Sequence, residues 1–273
     1  MVCDTPPVFG LLYEPRLDPW IEHGEIDADC VEVQAEQFYT STPSRLRWLA
    51  GQFPIIVRCA SLSLGGPDPI DERQLARCAA VARDANALWL THPLGFSRAG
   101  EIDLGMTVPI SLTKPNLDLV SDRISEVIER CGRQLLIENG SSPLRILGTL
   151  AETEFLNLLC ARSAGKLLID LSALCTDGRM HRFDPAAWLD DIAPQQIVQL
   201  RVVSTAGPGS NGTPEPTLDE QLSLVSRVLT RAHPRAIVLG GPPFGPLGDV
   251  ARALAQLKTA GASGSDSDRV ATS

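Results

Sequence analysis

Eight short apolar runs, most followed by a segment of helical spacing and recurring roughly every thirty residues, predict an α/β fold, a single (β/α)8 TIM barrel. The runs are near-continuous in Val, Ile and Leu rather than alternating, as parallel strands buried on both faces read. The segments between them carry charge opposite an apolar face. The length of 273 residues suits the about 250 that such a barrel takes. A doubly wound open sheet is the alternative, and the first strand-to-helix turn lacks the G-x-G-x-x-G fingerprint that would favour it.

In chain order the strands are "PVFGLLYE" near residue 10, "CVEVQAE" at 30, "PIIVRCAS" at 54, "ALWLTHP" at 87, "QLLIENG" at 134, "KLLIDLS" at 166, "IVQLRVV" at 197 and "AIVLGGP" at 236. Each is bounded by turn residues. Helical spacing marks 71–85, 116–132, 150–164 and 218–232. Thr217 with Glu220 three residues on reads as a capping box, and Asp71 or Pro69 can open the first of these helices. The barrel is expected over 1–260, with 261–273, small, polar and rich in Gly and Ser, as a disordered C-terminal tail.

Composition narrows the function classes. A formal charge of −9 and a pI near 5.0 leave no basic cluster for phosphate backbones, so no nucleic-acid partner is expected. No window approaches the roughly 18 apolar residues that cross a bilayer, and the first residues lack a secretory pattern, so the expectation is cytoplasmic with no membrane partner. The seven cysteines are odd in number and without a C-x-x-C pair, which supports neither a zinc knuckle nor a disulfide framework. Most read as small buried hydrophobes, with Cys59 and Cys175 set apart by their places along the strands.

In a barrel of this class the chemistry gathers at the C-terminal ends of the strands. Those positions are polar: Glu32 and Glu36, Arg58 and Cys59, His92, Glu138 and Asn139, Asp170 and Ser172, Arg201, then Gly240 and Gly241. Glu, His, Glu and Asp from four strands suit a hard metal such as Fe, Mn or Zn. Each also has a structural reading: Asp170 can cap the following turn, and Glu138 with Asn139 can satisfy loop backbone. Of the other histidines only His181 lies where it could reach the site. A guanidinium is always charged and opposes a nearby cation. Arg58 and Arg201 therefore read as substitutes for a lost metal, as clamps for a substrate carboxylate, or as structural salt bridges.

The order and spacing of "VEVQAEQFY", "FPIIVRCASLSLGG", "LTHPLGF", "LLIENG", "LLIDLSALC", "MHRFDPAAWL" and "IVQLRVVSTAG" resemble the multinuclear non-heme iron-dependent oxidative enzymes, the barrel family that includes the methanobactin-type peptide maturases. The resemblance runs from about Val8 to Ala260 and implies a xylose-isomerase-like barrel. It also implies a metal-dependent oxidoreductase using two or three irons and dioxygen on a ribosomally made precursor peptide, in natural product biosynthesis, with a partner protein that presents the peptide. Carried over, His92, Glu138 and Asp170 match metal ligands, and Glu36 and Asn139 match polar residues close to the metals. The chain departs from the pattern at Arg58–Cys59 and Arg201, where the family has histidines, and at the loop "GPGSNGTPEP". It departs again at Gly240, where the family has an acid, and at Ser172 and Ala173, where it has asparagines. The expectation is therefore at most a mononuclear iron site on His92, Glu138, Asp170 and Glu36, with Arg58, Cys59 and Arg201 as catalytic residues. The alternative is a pseudoenzyme with no metal, a peptide-binding scaffold or partner subunit.

Overall fold

Continuous apolar runs become the strands of the barrel in this computed structural model, which describes residues 6–39, 43–144, 148–204, 215–240 and 247–266. The chain begins with β1 (Val8–Leu12), α1 (Asp18–Glu22), β2 (Cys30–Gln34), α2 (Pro43–Gln52), β3 (Ile55–Arg58) and α3 (Glu72–Asp84). It continues through β4 (Leu90–Pro93), β5 (Phe96–Ala99), β6 (Ile102–Val108), α4 (Lys114–Cys131), β7 (Leu135–Glu138), α5 (Glu152–Arg162) and β8 (Lys166–Asp170). The last elements are α6 (Leu171–His181), α7 (Pro185–Asp190), β9 (Ile197–Val203), α8 (Leu218–Leu229), β10 (Ala236–Gly240) and α9 (Leu247–Asp266).

Eight strands close in the order β1-β10-β9-β8-β7-β4-β3-β2, and β5 with β6 forms a separate two-stranded sheet. The resolved ladders of the barrel, such as β3 on β4 and β4 on β7, are parallel, whereas β5 and β6 pair antiparallel. All eight expected strands form. The β5–β6 hairpin was not expected, and it occupies the connection between β4 and α4.

By internal contacts the chain divides into residues 1–31 with 169–273, and residues 32–168. In the second unit α4 buries Leu117, Val120, Ile124 and Val127, one stripe at helical spacing. Full burial of such a side chain stabilises by about 1.5–3 kcal/mol. Asp71 caps α3 by accepting from the Arg73 and Gln74 amides, a device worth about 1 kcal/mol. Gly132, at φ 63°, ends α4 in the left-handed conformation that glycine adopts without strain. In the first unit Leu200, Val225, Val228, Ile237 and Leu257 are buried, and the Thr217–Glu220 capping box opens α8 as expected.

Two expectations need adjustment. Cys59 and Cys78 are joined in a disulfide with Cα atoms 6.3 Å apart, so the inference that no disulfide forms is corrected. Both residues have no solvent exposure, which fits the buried-hydrophobe reading of Cys78 and removes Cys59 from the reactive residues. The last helix, α9, carries residues 261–266 of the segment expected to be a disordered tail, while 267–273 lie outside the described residues. Among the described residues no helix is long and apolar enough to cross a membrane.

Candidate functional site

The tips of β3, β4 and β7 carry the polar residues of the unit 32–168. Arg58 is the last residue of β3 and lies opposite Thr91 on β4, and Pro93 on β4 lies opposite Glu138 on β7. The side chain of Arg58 reaches past β4 to Glu138, with Nη2 2.9 Å from Oε2. These side chains are 22% and 8% exposed, so the pair is largely withdrawn from water.

His92, on the strand between them, is 1% exposed, and neither ring nitrogen has a hydrogen-bond partner. Burial, and then the positive charge of Arg58, push its pKa down to about 3, so the imidazole is neutral at physiological pH. The Pro93 carbonyl offsets part of this shift without forming an aligned hydrogen bond.

The two glutamates that follow the second apolar run have separate employments. Glu32 sits within β2 rather than at its end, fully buried, and accepts a 2.8 Å bond from the Thr91 hydroxyl. Glu36 accepts a 2.7 Å bond from the Ser61 amide and so fastens the loop after β3. Asn139 is buried at the tip of β7. Cys59, whose amide donates to the Thr91 carbonyl, holds its sulfur in the disulfide and presents no thiol.

Asp170 and Arg201 belong to the other unit. Asp170 closes β8 and caps α6, its Oδ1 accepting from the Ala173 amide at 2.9 Å. Its Oδ2 lies 3.6 Å from Arg201 Nη1. Arg201 stands inside β9 and is 4% exposed. A Cβ on Gly240 would come within 3.1 Å of Arg201 Cδ, so the glycine leaves the room that the arginine stem occupies. Cys175 is 7% exposed, and burial pushes its thiol up to about 11, which keeps it protonated and unreactive. His181 is the last residue of α6. Gly241 and much of "GPGSNGTPEP" lie outside the described residues.

Among the described residues no three His, Cys, Asp or Glu side chains gather closely enough to share a metal ion. A dication held by Glu138 would sit within about 5 Å of the Arg58 guanidinium, where repulsion at an effective dielectric near 20 is about 7 kcal/mol. These residues do not fit a multinuclear cluster.

Arg123 was missed by sequence reasoning. It is 7% exposed and donates to the carbonyls of Leu64, Gly66 and Asp68, pinning the loop after β3. Burial lowers its pKa, and the three carbonyls take the place of solvent. Its position three residues after Val120, close to the buried stripe, was the available signal.

Residues 8–240 match the family described as RiPP precursor modification enzyme MbnB/TglH/ChrH. The chain belongs to this family. A UPF0276 protein of Rhizorhabdus wittichii is 29% identical over 200 residues, covering 71% of this chain and 72% of that protein. A UPF0276 protein of an Anaeromyxobacter species is 31% identical over 200 residues, 71% of each chain. Among solved structures, a xylose isomerase-like TIM barrel protein from Mycobacterium smegmatis in complex with magnesium aligns over 95% of this chain and 97% of its own. Its TM-score is 0.62 and its identity 15%, a likeness of fold. The family and the barrel expected from the sequence are thus both shown.

Proposed function

We propose that this member of the MbnB/TglH/ChrH family serves the maturation of a ribosomally made peptide by holding the precursor, with fixed guanidinium charge where a metal-bearing relative would hold cations. The observation that carries this reading is the 2.9 Å pair between Arg58 and Glu138. It occupies the carboxylate carried over as a metal ligand with a permanent positive charge. The Asp170–Arg201 pair follows the same logic within its own unit. Binding, orientation and exclusion of water are what these residues supply, and a partner subunit completes the modification.

Metal analysis tests it. Protein purified without chelators, and again after anaerobic incubation with Fe(II), is expected to hold far less than one iron or manganese per chain. Stoichiometric metal that disappears in Glu138→Gln would overturn the reading.

One observation favours a second reading, a mononuclear iron enzyme: both nitrogens of buried His92 are without hydrogen-bond partners. A neutral imidazole is the protonation state that binds a metal. Near-stoichiometric metal that is lost in His92→Ala and in Glu138→Gln alike would select it.

A further inference from the structure

The loop between β3 and α3 packs against the β5–β6 hairpin around a cavity of about 720 Å³, set apart from the Arg58–Glu138 pair. Eleven of its fourteen lining residues fall between Cys59 and Cys78, so the wall of the cavity is the segment that the disulfide closes into a ring. Cys59 follows the last residue of β3, and Cys78 belongs to the buried face of α3 with Leu75, Val81 and Ala82. The ring in turn grips the hairpin. The Ser63 hydroxyl accepts from the amides of Ser97 and Arg98, Asp68 accepts from the Gly100 amide, and the Gly65 amide donates to the Gly95 carbonyl at 2.9 Å. A Cβ on Gly65 would come within 2.9 Å of that same carbonyl oxygen, so ring and hairpin meet backbone to backbone.

Both ends of the ring are also held without the covalent bond. The Cys59 amide donates to the Thr91 carbonyl, Glu36 accepts from the Ser61 amide, Asp71 caps α3, and Arg123 donates to the carbonyls of Leu64, Gly66 and Asp68. Two thiols at these positions therefore stay near the approach that the disulfide records, with Cα atoms 6.3 Å apart, and can rejoin. As thiols they are small apolar groups suited to the buried places they occupy. Cys131, Cys160 and Cys175 remain thiols, so the chain is not stapled throughout as a small secreted domain is. An isolated bond in a thiol-bearing chain fits a redox-responsive pair.

We propose that Cys59 and Cys78 form a reversible redox site that sets the shape of this cavity: the disulfide clamps residues 60–71 on the hairpin, and the dithiol lets both loosen while the barrel strands stay paired. The reductant is a low-molecular-weight thiol. Its thiolate attacks one sulfur, the Cys59–Cys78 bond breaks and a mixed disulfide forms. A second reductant thiol displaces the protein sulfur, so the protein gains two electrons and two protons and the reductant leaves as its own disulfide. Neither cysteine is exposed, so exchange proceeds through local opening of the ring and is slower than at an exposed disulfide. The site concerns the loop and the hairpin and does not depend on the peptide-holding reading.

Amide NMR of the full chain, with alkylation and peptide mass analysis to count thiols, tests this. In reduced glutathione Cys59 and Cys78 are expected to become alkylatable together. The amide signals of Ser61, Gly65, Ser97, Arg98 and Gly100 should then shift or broaden, while those of β9 and β10 hold their positions. Glutathione disulfide should restore the original spectrum. Proteolytic cleavage within residues 60–71 of the folded chain should accelerate by about tenfold or more on reduction. Cys59→Ala/Cys78→Ala should show the reduced pattern and ignore glutathione; if that variant does not fold, the wild-type measurements decide alone. Thiols that appear only in denaturant would make the bond a permanent staple and overturn the proposal. So would reduction that unfolds the whole chain, reduction that leaves the loop and hairpin signals unchanged, or failure of the disulfide to re-form.

Discussion

Removing the Arg58 side chain should expose how much of this fold depends on one buried charge pair. At 2.9 Å and an effective dielectric near 20, the attraction between Arg58 and Glu138 is about 6 kcal/mol, much of it offset by the desolvation of both groups. Arg58→Met removes this guanidinium from beside a carboxylate that is 8% exposed. Breaking a buried pair from one side costs about 3–5 kcal/mol, and the 22% exposure of Arg58 brings the expectation to about 2–4 kcal/mol. Glu138→Gln should cost less, because the charge it leaves unpaired, Arg58, is 22% exposed and keeps part of its hydration. The double variant should recover part of the loss, giving a coupling energy above about 1 kcal/mol in a double-mutant cycle. Urea denaturation with unchanged m-values is the assay. Additive single changes, each below about 0.5 kcal/mol, would refute the idea that the pair is withdrawn from solvent and structurally committed.

The disulfide closes a segment of 19-residue separation, so reduction should destabilise the fold by about 3 kcal/mol, read as a lower urea midpoint in dithiothreitol that Cys78→Ser reproduces without reductant. His92 makes stability pH-dependent. Its folded pKa, about 3, lies below the ordinary value of 6.5, so its contribution is complete above pH 6.5 and is lost as pH falls toward 3. Below pH 6.5 the slope should be steeper in wild type than in His92→Gln, by up to about 1 kcal/mol per pH unit, and the imidazole should show no NMR titration between pH 5 and 8. Asp170 has two roles that substitutions can separate. Asp170→Asn keeps an oxygen for the Ala173 amide and loses the charge facing Arg201, whereas Asp170→Ala loses both, and calorimetry should find Ala worse than Asn by about 1 kcal/mol.

The barrel was legible because parallel strands advertise themselves: eight apolar runs gave eight strands, and the Asp71 and Thr217 caps opened the helices they were expected to open. The β5–β6 hairpin was not legible. β6 alternates apolar and polar residues from Ile102 to Val108, but it is exposed along most of its length and carries Gly105 at φ 65°, so it has none of the continuous apolar character that marks the barrel strands. The Cys59–Cys78 bond was hidden because pairing is a property of three-dimensional approach, and the two lie at a sequence separation of 19 across loop and helix. The candidate site was half legible. Arg58, Glu138 and Asp170 close their strands where the sequence placed them, but which carboxylate pairs with which arginine depends on register: the Arg58 side chain spans from β3 past β4 to β7, a reach no linear spacing encodes. Glu32 and Arg201 were placed at strand ends and instead lie within β2 and β9.

A guanidinium is not an isosteric replacement for a bound cation, because it arrives on a long stem that needs volume as well as a counter-charge. At Arg201 both needs are met: Asp170 faces the head group and the missing Cβ of Gly240 accommodates the stem. Gly240 and Arg201, two places where the sequence departs from the pattern it resembles, are thus coupled in the structure. At Arg58 only the charge is answered. Glu138 pairs with it, while the adjacent His92 keeps two buried nitrogens without hydrogen-bond partners, a deficit of about 1–3 kcal/mol per group. Folded chains rarely retain such a deficit without use. The imidazole is therefore the residue whose role most directly divides a holding protein from a working enzyme. His92→Phe, which removes the orphaned nitrogens, should leave stability unchanged or raise it if nothing binds there, and should lower it if the imidazole holds a ligand.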